Sequence, residues 1–273
     1  MKFDFDATYF NPLHTLDCGQ VFRFAPFKEG FLVNSADKIA YVYSDGVKTV
    51  VESEHPDYFY NYFDLARDYK EIVDAVTSFG IPLLTKSAQT CRGLRILNQS
   101  REEMIYSFII SQNNNIPRIK GIINRLCTAL GEKISSPFGE YYAFPLSSAL
   151  ADADISVFTA AGAGYRDVYL KETSQRIRDE GIAHLEALKG DALKRELLSY
   201  KGIGPKVADC VALFGFRNTD SFPVDTWIEK VYREDFCGTL KDREQIAKFF
   251  TDTFRQNSGY VQQYLFYGKR LNL

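Results

Sequence analysis

The sequence has few of the residues from which metal sites and disulfide frameworks are built. Five cysteines and three histidines are scattered through 273 residues, and no two cysteines form a CxxC pair. A zinc site, a four-cysteine iron–sulfur cluster and a disulfide framework are therefore not expected. We predict a protein that needs no metal and no other cofactor.

Long apolar runs are absent as well. No stretch approaches the roughly 20 apolar residues that a membrane-spanning helix needs. The first ten residues, MKFDFDATYF, are acidic and aromatic, and lack the basic end and apolar stretch of a signal peptide. We therefore expect an intracellular protein without membrane association, in the cytoplasm or nucleoid if the source is prokaryotic.

The sequence also lacks an excess of charge of either sign. Its 33 Lys and Arg residues nearly balance 35 Asp and Glu residues, which leaves a formal net charge of -2. A polyanionic partner would therefore have to be held by a local patch and by backbone amides. What the chain does have is 45% hydrophobic and 15% aromatic residues, enough for a substantial core.

The secondary-structure pattern changes near residue 53. Residues 31–51 form short β-rich runs, separated at Ala36-Asp37 and at the hairpin dipeptide Asp45-Gly46. Alternation over residues 39–44 predicts a sheet with one covered face. The remainder has helical periodicity, so the predicted fold class is α+β, with an N-terminal antiparallel sheet and a large helical part.

Helices are predicted wherever apolar residues recur at helical spacing. One or two are expected between residues 55 and 76, and Asp191 is expected to be the N-cap of a later one. The others are predicted at 102–112, from Pro117 onward, and at 148–161, 167–178, 191–200, 205–214, 226–233, 243–256 and 261–271.

The most informative segment is KGIGPK, residues 201–206. Gly202 and Gly204 allow backbone angles barred to other residues and permit close approach of a partner. Pro205 suits the first position of a helix, whose free amides favour an anion. A helix, a glycine hairpin and a second helix could hold a nucleic-acid phosphate, although a tight turn between packed helices is an equally simple interpretation.

Lys206 follows directly, beside an apolar face that includes Cys210 one turn further on. Partial desolvation there would favour the neutral amine, which is the nucleophilic form; a solvated surface lysine is the alternative. Asp225 precedes another predicted helix in SFPVDTW. It is suited to be an N-cap, and it could also stabilise cationic charge that develops on a sugar.

These motifs resemble the helix-hairpin-helix DNA glycosylase superfamily. KGIGPKVADC followed by PVDTW matches its glycine- and proline-rich loop and later aspartate, and Lys206 is typical of bifunctional members. SFIISQNNNIPRI, AGAGYRDVY, LDCGQVFRF and GYVQQYLF are similar to 8-oxoguanine DNA glycosylase/lyases, in the same order along most of the chain. The resemblance implies an N-terminal sheet subdomain with flanking helices (1–95) and a helical glycosylase region (96–273), whose two lobes enclose an active-site cleft.

The resemblance implies a base-excision repair enzyme that flips 8-oxoguanine out of duplex DNA, preferably opposite cytosine, and excises it. Lys206 would attack C1′ and form a Schiff base that leads to β-elimination, and Asp225 would stabilise the charged sugar. The Gly19 carbonyl would accept the N7 hydrogen that distinguishes 8-oxoguanine from guanine. Three further residues would contact the flipped base: Phe266 and Cys210 on its two faces, and Gln262 at its Watson–Crick edge.

The resemblance also implies contacts to the rest of the DNA. Asn113, Arg118 and Arg166 would hold the orphaned cytosine, and Tyr165 would fill the gap left by the flipped base. Phosphate would be bound at Gly202, Gly204, Val207 and Trp227. The partner would be double-stranded DNA containing 8-oxoguanine, bound by a monomer.

Two positions depart from the family pattern, and two other functions stay open. Trp227 stands where the family has a histidine, and Gln112 precedes Asn113 where the family has a small serine. A glycosylase for other damaged purines would share most of these motifs. A non-catalytic helix-hairpin-helix DNA-binding module would need the hairpin, but would have no use for Lys206 or Asp225.

Overall fold

The computed structural model describes all residues from 1 to 273. Its strands are β1 (Lys2–Asp6), β2 (Phe24–Phe27), β3 (Gly30–Ser35), β4 (Lys38–Ser44), β5 (Lys48–Ser53), β6 (Lys133–Ser136) and β7 (Gly139–Tyr142). Its helices are α1 (Pro12–Asp17), α2 (Pro56–Tyr62), α3 (Tyr69–Thr77), α4 (Pro82–Thr90), α5 (Arg101–Ser111), α6 (Ile116–Leu130), α7 (Ser147–Asp152), α8 (Ile155–Ala160), α9 (Arg166–Glu180), α10 (Ala183–Glu186), α11 (Gly190–Leu198), α12 (Pro205–Phe216), α13 (Thr226–Glu234), α14 (Arg243–Phe254) and α15 (Ser258–Arg270). The α+β prediction is confirmed.

The N-terminal sheet has five antiparallel strands in the order β1-β5-β4-β3-β2. The predicted hairpin at Asp45-Gly46 joins β4 to β5. Asp45 Oδ1 accepts hydrogen bonds from the amides of Val47 (2.9 Å) and Lys48 (2.7 Å), and Gly46 has a φ of 92°. Glycine tolerates that angle and the aspartate side chain closes the turn, so both residues are needed.

The expectation of one covered face is wrong for the middle of β4. Ala40 and Val42 point into a core of 12 buried residues, as the alternation predicts. Tyr41 on the opposite face is only 3% exposed, because Phe27 and Phe138 pack against its ring with centroids 5.3 and 6.1 Å away. Aromatic side chains from outside the strand therefore cover the second face.

The predicted helices are present, with three differences. The segment 148–161 is split into α7 and α8, because Ala153 is extended and the Asp154 side chain caps α8 by accepting from the Ser156 amide. Asp191 is not an N-cap; Lys189 has that position and Asp191 lies in the first turn of α11. Helices α1, α4 and α10 and the β6–β7 hairpin are not indicated by the sequence, since these segments are short and show no strong periodic pattern.

A second, larger core of 55 buried residues holds most of the helices together. It contains residues of α3 and α4, such as Val76 and Leu84, beside residues of α12 and α15, such as Val211 and Leu265. Residues on both sides of position 95 thus share one core, and a domain boundary there stays a prediction. None of the helices has the length and apolar character required to cross a membrane.

Candidate active site at the glycine hairpin

The hairpin between α11 and α12 uses its two glycines differently. Gly202 has a φ of 80°, and a Cβ there would overlap the Tyr169 ring of α9. Gly204 has an ordinary φ of -88° and faces open space, so the expectation of an unusual backbone angle is wrong for this residue. Pro205 occupies the first turn of α12 as predicted. The hairpin therefore needs Gly202 for its fold, whereas Gly204 leaves room beside the start of a helix.

Free backbone amides surround that room. The first intrahelical bond of α12 runs from the Ala208 amide to the Gly204 carbonyl (2.9 Å), so the Val207 amide precedes it and has no partner in the chain. Val207 itself is 4% exposed, with its side chain in the large core. The start of α12 thus offers N–H groups with space in front of them, which is the arrangement that binds anions.

Lys206 lies half-buried on the first turn of α12, with its Nζ 5.6 Å from the centre of the Phe108 ring. Cys210, one turn further on, is 3% exposed. Burial raises the pKa of the Cys210 thiol to about 11, although the neighbouring Lys206 ammonium opposes that rise. Cys210 therefore presents a neutral, largely apolar surface close to the amine.

Asp225 is the N-cap of α13. Its Oδ1 accepts hydrogen bonds from the amides of Trp227 and Ile228, both at 3.0 Å. Burial raises the pKa of this carboxyl; the Ile228 amide and the charge of Lys206 work in the opposite direction. The N-cap prediction is confirmed, and the same geometry holds the carboxylate near the Lys206 amine.

Two cavities meet at Lys206 and Asp225. The first is an open cleft of about 730 Å³ between α5, α12, α13 and α14, and it also exposes Asn113, Lys241 and Arg243. The second is a small interior pocket of about 50 Å³, lined by Cys18, Gly19, Phe108, Lys206, Cys210, Phe214, Pro223, Asp225, Gln262, Gln263 and Phe266. A cavity that holds benzene has about 150 Å³, so this pocket must widen before a purine fits.

Gly19 forms one wall of the interior pocket and has a φ of 84°. A Cβ at this position would lie 3.1 Å from the Phe266 ring, so only glycine permits the present contact. The loop is held by Gln20, whose Nε2 donates to the carbonyls of Thr15 (2.9 Å) and Arg95 (2.6 Å). The Gly19 carbonyl accepts no hydrogen bond from the rest of the chain. Sequence reasoning missed Gln20, although it stands in the CGQ motif.

Helix α15 supplies the opposite wall. Gln262 is 4% exposed; its Nε2 donates to the Pro223 carbonyl (3.3 Å) and its Oε1 accepts from Gln263 Nε2 (2.9 Å). Phe266, one turn after Gln262, lies half-buried against Gly19. The predicted base-contacting residues thus line one pocket, together with Gln263, which the sequence did not indicate.

Of the residues predicted to contact the opposite base or to fill the gap, Asn113 lines the open cleft and Tyr165 is hydrogen-bonded to it. Asn113 is exposed, has a φ of 44°, and donates from Nδ2 to the Tyr165 hydroxyl (3.3 Å). Tyr165 is 51% exposed. Arg118 is also exposed and reaches the Gly162 carbonyl (3.4 Å), while Asn115 caps α6 by accepting from the Arg118 amide. All three side chains are therefore accessible, and Asn113 and Tyr165 are in direct contact.

Arg166 and Trp227 occupy different surroundings. Arg166 is only 2% exposed, and its guanidinium donates to the carbonyls of Ala163 (3.0 Å), Gln112 and Asn113 (3.3 Å). It supports the loop that carries Asn113 from beneath. Trp227 is half-buried on α13, does not line the cleft, and its indole N–H makes no hydrogen bond within the chain.

The chain has no cluster of three or more His, Cys, Asp or Glu side chains placed to hold a metal ion. The chemistry available at the junction of the two cavities is that of a nucleophilic amine beside a carboxylate. A glycine hairpin between two helices, an interior pocket and an amine beside a carboxylate are together typical of DNA glycosylases of the helix-hairpin-helix class.

Comparison with known proteins agrees with this class. Residues 2–105 match the family "8-oxoguanine DNA glycosylase, N-terminal domain", and residues 106–256 match "HhH-GPD superfamily base excision DNA repair protein". The chain belongs to the HhH-GPD superfamily of base excision DNA repair proteins, and its N-terminal part is of the 8-oxoguanine DNA glycosylase type.

Individual relatives are similar over different shares of their length. The N-glycosylase/DNA lyase of Saccharomyces cerevisiae is 36% identical over 53% of this chain, which spans 42% of the yeast protein. The probable N-glycosylase/DNA lyase of Methanothermobacter thermautotrophicus is 29% identical over 75% of this chain and 71% of its own length. Among solved structures, the Clostridium acetobutylicum 8-oxoguanine glycosylase/lyase, in complex with double-stranded DNA containing cytosine opposite 8-oxoguanine, has a TM-score of 0.91. It is 35% identical over 97% of this chain and 93% of that chain.

Proposed function

We propose that the protein is a bifunctional DNA glycosylase and AP lyase that flips 8-oxoguanine out of duplex DNA, preferably opposite cytosine, and excises it. The single observation that carries this proposal is the position of Lys206 and Asp225, which line both the open cleft and the interior pocket. A nucleotide with its backbone in the cleft and its base in the pocket would have its sugar at this junction. A base cannot be excised while it is stacked, so such an arrangement suits a base-flipping enzyme.

The proposed chemistry begins with the neutral Lys206 amine. It attacks C1′, the bond from C1′ to the base breaks, and the base leaves with a proton. Asp225 stabilises the positive charge that develops on the sugar. After the sugar ring opens, the amine and C1′ form a Schiff base. Removal of a C2′ proton then breaks the C3′–O bond, which is the β-elimination of a lyase.

Recognition of the lesion is proposed to rest on the Gly19 carbonyl, with Cys210, Gln262 and Phe266 around the base. 8-Oxoguanine carries a hydrogen at N7, which that free carbonyl can accept. Guanine would present a lone pair instead and leave a buried acceptor unpaired, at a cost of about 1–3 kcal/mol. The pocket therefore favours the oxidised base by roughly one to two powers of ten from this contact alone.

Contacts to the remaining DNA are proposed for the accessible cleft edge. Asn113 and Arg118 would hold the orphaned cytosine, whose edge offers acceptors and one amino group, and Tyr165 would fill the gap. Arg166 would act through the loop that it supports. We propose that the phosphate is bound by the amides at Gly202, Gly204 and Val207, with Trp227 nearby. One chain supplies all of these groups, so we expect a monomer on the DNA.

Borohydride trapping tests the proposal. A duplex with 8-oxoguanine opposite cytosine should yield a covalent adduct with the protein, and Lys206→Gln should abolish the adduct while DNA binding persists. Lys201→Gln is the matched control. Lys201 belongs to the same hairpin, but it is exposed and its Nζ lies 3.9 Å from Glu172 Oε2. An adduct of full strength in Lys206→Gln would contradict the assignment.

A panel of lesions separates the remaining possibilities. Excision of 8-oxoguanine should exceed excision of an alkylated purine in the same sequence context. Equal rates would point to a glycosylase for other damaged purines and would refute the function assigned to Gly19. Binding without any excision would point to a non-catalytic DNA-binding module.

A further inference from the structure

The Gln112 side chain joins two parts of the cleft that the proposed mechanism uses separately. Its Nε2 donates to the Ile109 carbonyl of its own helix (3.0 Å) and to the Gly202 carbonyl of the hairpin (2.8 Å). Both acceptors are carbonyl oxygens, so the NH₂ group must face them and the orientation of the amide is determined. The bond to Gly202 spans 90 residues of sequence.

At one end of this connection is the 112–115 loop, whose Asn113 is proposed to contact the orphaned cytosine. The loop is fixed from below, because the guanidinium of Arg166 donates to the carbonyls of Gln112 and Asn113. A residue with a φ of 44°, such as Asn113, keeps that angle only when its surroundings hold it. A change in the position of this loop would therefore move the Gln112 side chain.

At the other end is the peptide unit between Gly202 and Ile203. Its oxygen is held by Gln112, and its N–H donates to the Tyr200 carbonyl (3.1 Å). The next amide, that of Gly204, has no partner in the chain, and α12 with Lys206 starts directly after it. The direction of the phosphate-binding amides and of the first turn of α12 therefore depends on this peptide unit.

Helix α9 provides a second contact between the same two parts. The ring of Tyr165, which is hydrogen-bonded to Asn113, packs edge-on against Tyr169 with centroids 5.8 Å apart. Gly202 in turn lies directly against the Tyr169 ring. The loop and the hairpin are thus bridged by hydrogen bonds on one side and by aromatic packing on the other.

We infer that Gln112 is a positioning residue that couples recognition of the base opposite the lesion to the placement of the hairpin and Lys206. Cytosine bound at Asn113 holds the 112–115 loop in the arrangement in which Gln112 supports the Gly202 carbonyl. A base that does not fit leaves this support incomplete, and the amine is then placed less well for attack on C1′. This inference rests on the proposed function.

Single-turnover excision from duplexes with cytosine or adenine opposite 8-oxoguanine tests the inference. Gln112→Met keeps the length of the side chain but cannot donate a hydrogen bond. It should reduce the ratio of the two rates by about three- to tenfold, mainly by slowing the reaction opposite cytosine, since the hydrogen bond to the Gly202 carbonyl is lost together with the one to Ile109. In an Asn113→Ala background the same substitution should have little further effect on the ratio, as expected of coupled residues.

Asn98→Leu is the matched control. Asn98 also donates its amide to a backbone carbonyl, that of Asn61 (2.5 Å), but it does not line the cleft and makes no bond to the hairpin. Its ratio of rates should equal that of the unmodified protein. Thermal unfolding and binding to duplex DNA should be measured for both variants, so that a loss of fold is recognised.

The outcomes are distinguishable. If the unmodified protein does not excise 8-oxoguanine, the proposed function fails. If it excises with a preference for cytosine and Gln112→Met retains that preference, only the coupling is refuted. Equal rates opposite cytosine and adenine in the unmodified protein would also refute it, because there would be no discrimination to transmit.

Discussion

The Asp225 carboxylate directs one oxygen to the backbone and leaves the other without a hydrogen bond in the chain. Both of its hydrogen bonds, from the Trp227 and Ile228 amides, go to Oδ1, and Oδ2 accepts none within the chain. An N-cap of this kind fixes the carboxylate through the helix that it starts. The structural and the chemical interpretations of this residue are therefore compatible.

The raised pKa of Asp225 predicts how excision depends on acidity. Burial favours the protonated carboxyl, so the charge that stabilises a cationic sugar disappears at a higher pH than for an exposed aspartate. Single-turnover excision should therefore fall as the pH is lowered, starting above the usual titration range of aspartate. A pH series of rates measured at saturating protein checks this.

Asp225→Asn isolates that contribution. Asparagine is as good an N-cap as aspartate, so the fold and DNA binding should persist. Excision should drop by roughly 100-fold or more, because a charge near the reacting sugar is removed, and the residual rate should lose the part of the acid-side decline that titration of Asp225 causes. A variant with an unchanged pH profile would mean that another group causes it.

At the level of the secondary-structure elements, the hairpin between α11 and α12 predicts that its two glycines differ in their contribution to stability. Gly202→Ala should destabilise the protein by about 2–4 kcal/mol, because alanine resists a φ of 80° and its methyl group would overlap Tyr169. Gly204→Ala should change stability by less than about 0.5 kcal/mol, since its φ is ordinary and its surroundings are open. Thermal unfolding of the two variants measures this difference.

DNA binding should rank the same two variants in a different way. The methyl group that Gly204→Ala adds would stand in front of the free amides of α12. Affinity for duplex DNA should therefore fall by roughly tenfold, although the fold is intact. Fluorescence anisotropy with a labelled duplex provides the measurement. Unchanged affinity of Gly204→Ala would show that phosphate does not approach the hairpin at this point.

The ion pair between Asp209 of α12 and Lys194 of α11 predicts a pH-dependent stability. Burial raises the pKa of Asp209 to about 6, against the opposing charge of Lys194 at 2.9 Å. A carboxyl whose pKa is higher in the folded state contributes stability below its unfolded pKa, and this contribution is lost as the pH rises through about 6. The free energy of unfolding of the unmodified protein, relative to Asp209→Asn, should therefore fall by about 3 kcal/mol between pH 3.5 and 7. Denaturant titrations at both pH values test this, and a constant difference would contradict it.

These elements also show how far the sequence could be interpreted. The Asp45-Gly46 turn and the starts of α12 and α13 depend on neighbouring residues, and their signals are therefore local. The outer face of β4 is covered at Tyr41 by Phe27 and Phe138. Phe27 lies at the end of β2 and Phe138 lies between β6 and β7, so both are distant from Tyr41 in sequence. The burial of Arg166 and the bond from Gln112 to Gly202 are likewise tertiary contacts, to which no local pattern corresponds.

At the scale of the whole molecule, Arg95 connects the N-terminal part to the site. It is completely buried, and its guanidinium donates to the carbonyls of Tyr9 (2.6 Å), Phe63 (2.9 Å), Asp64 and Arg67 (3.1 Å). The Arg95 carbonyl in turn accepts from Gln20, which holds the loop that carries Gly19. One buried residue thus ties the segment between β1 and α1, the α2–α3 connection and a wall of the interior pocket together.

Arg95→Met should therefore affect both stability and the pocket. The substitution leaves several buried carbonyls without donors, so the free energy of unfolding should fall by about 3–5 kcal/mol in urea titrations. Arg92→Met is the matched control, since Arg92 is exposed and its guanidinium makes no hydrogen bond in the chain; it lies over the face of the Tyr9 ring, 5.6 Å from its centre. An unfolding midpoint equal to that of Arg92→Met would contradict the contribution of Arg95 to stability.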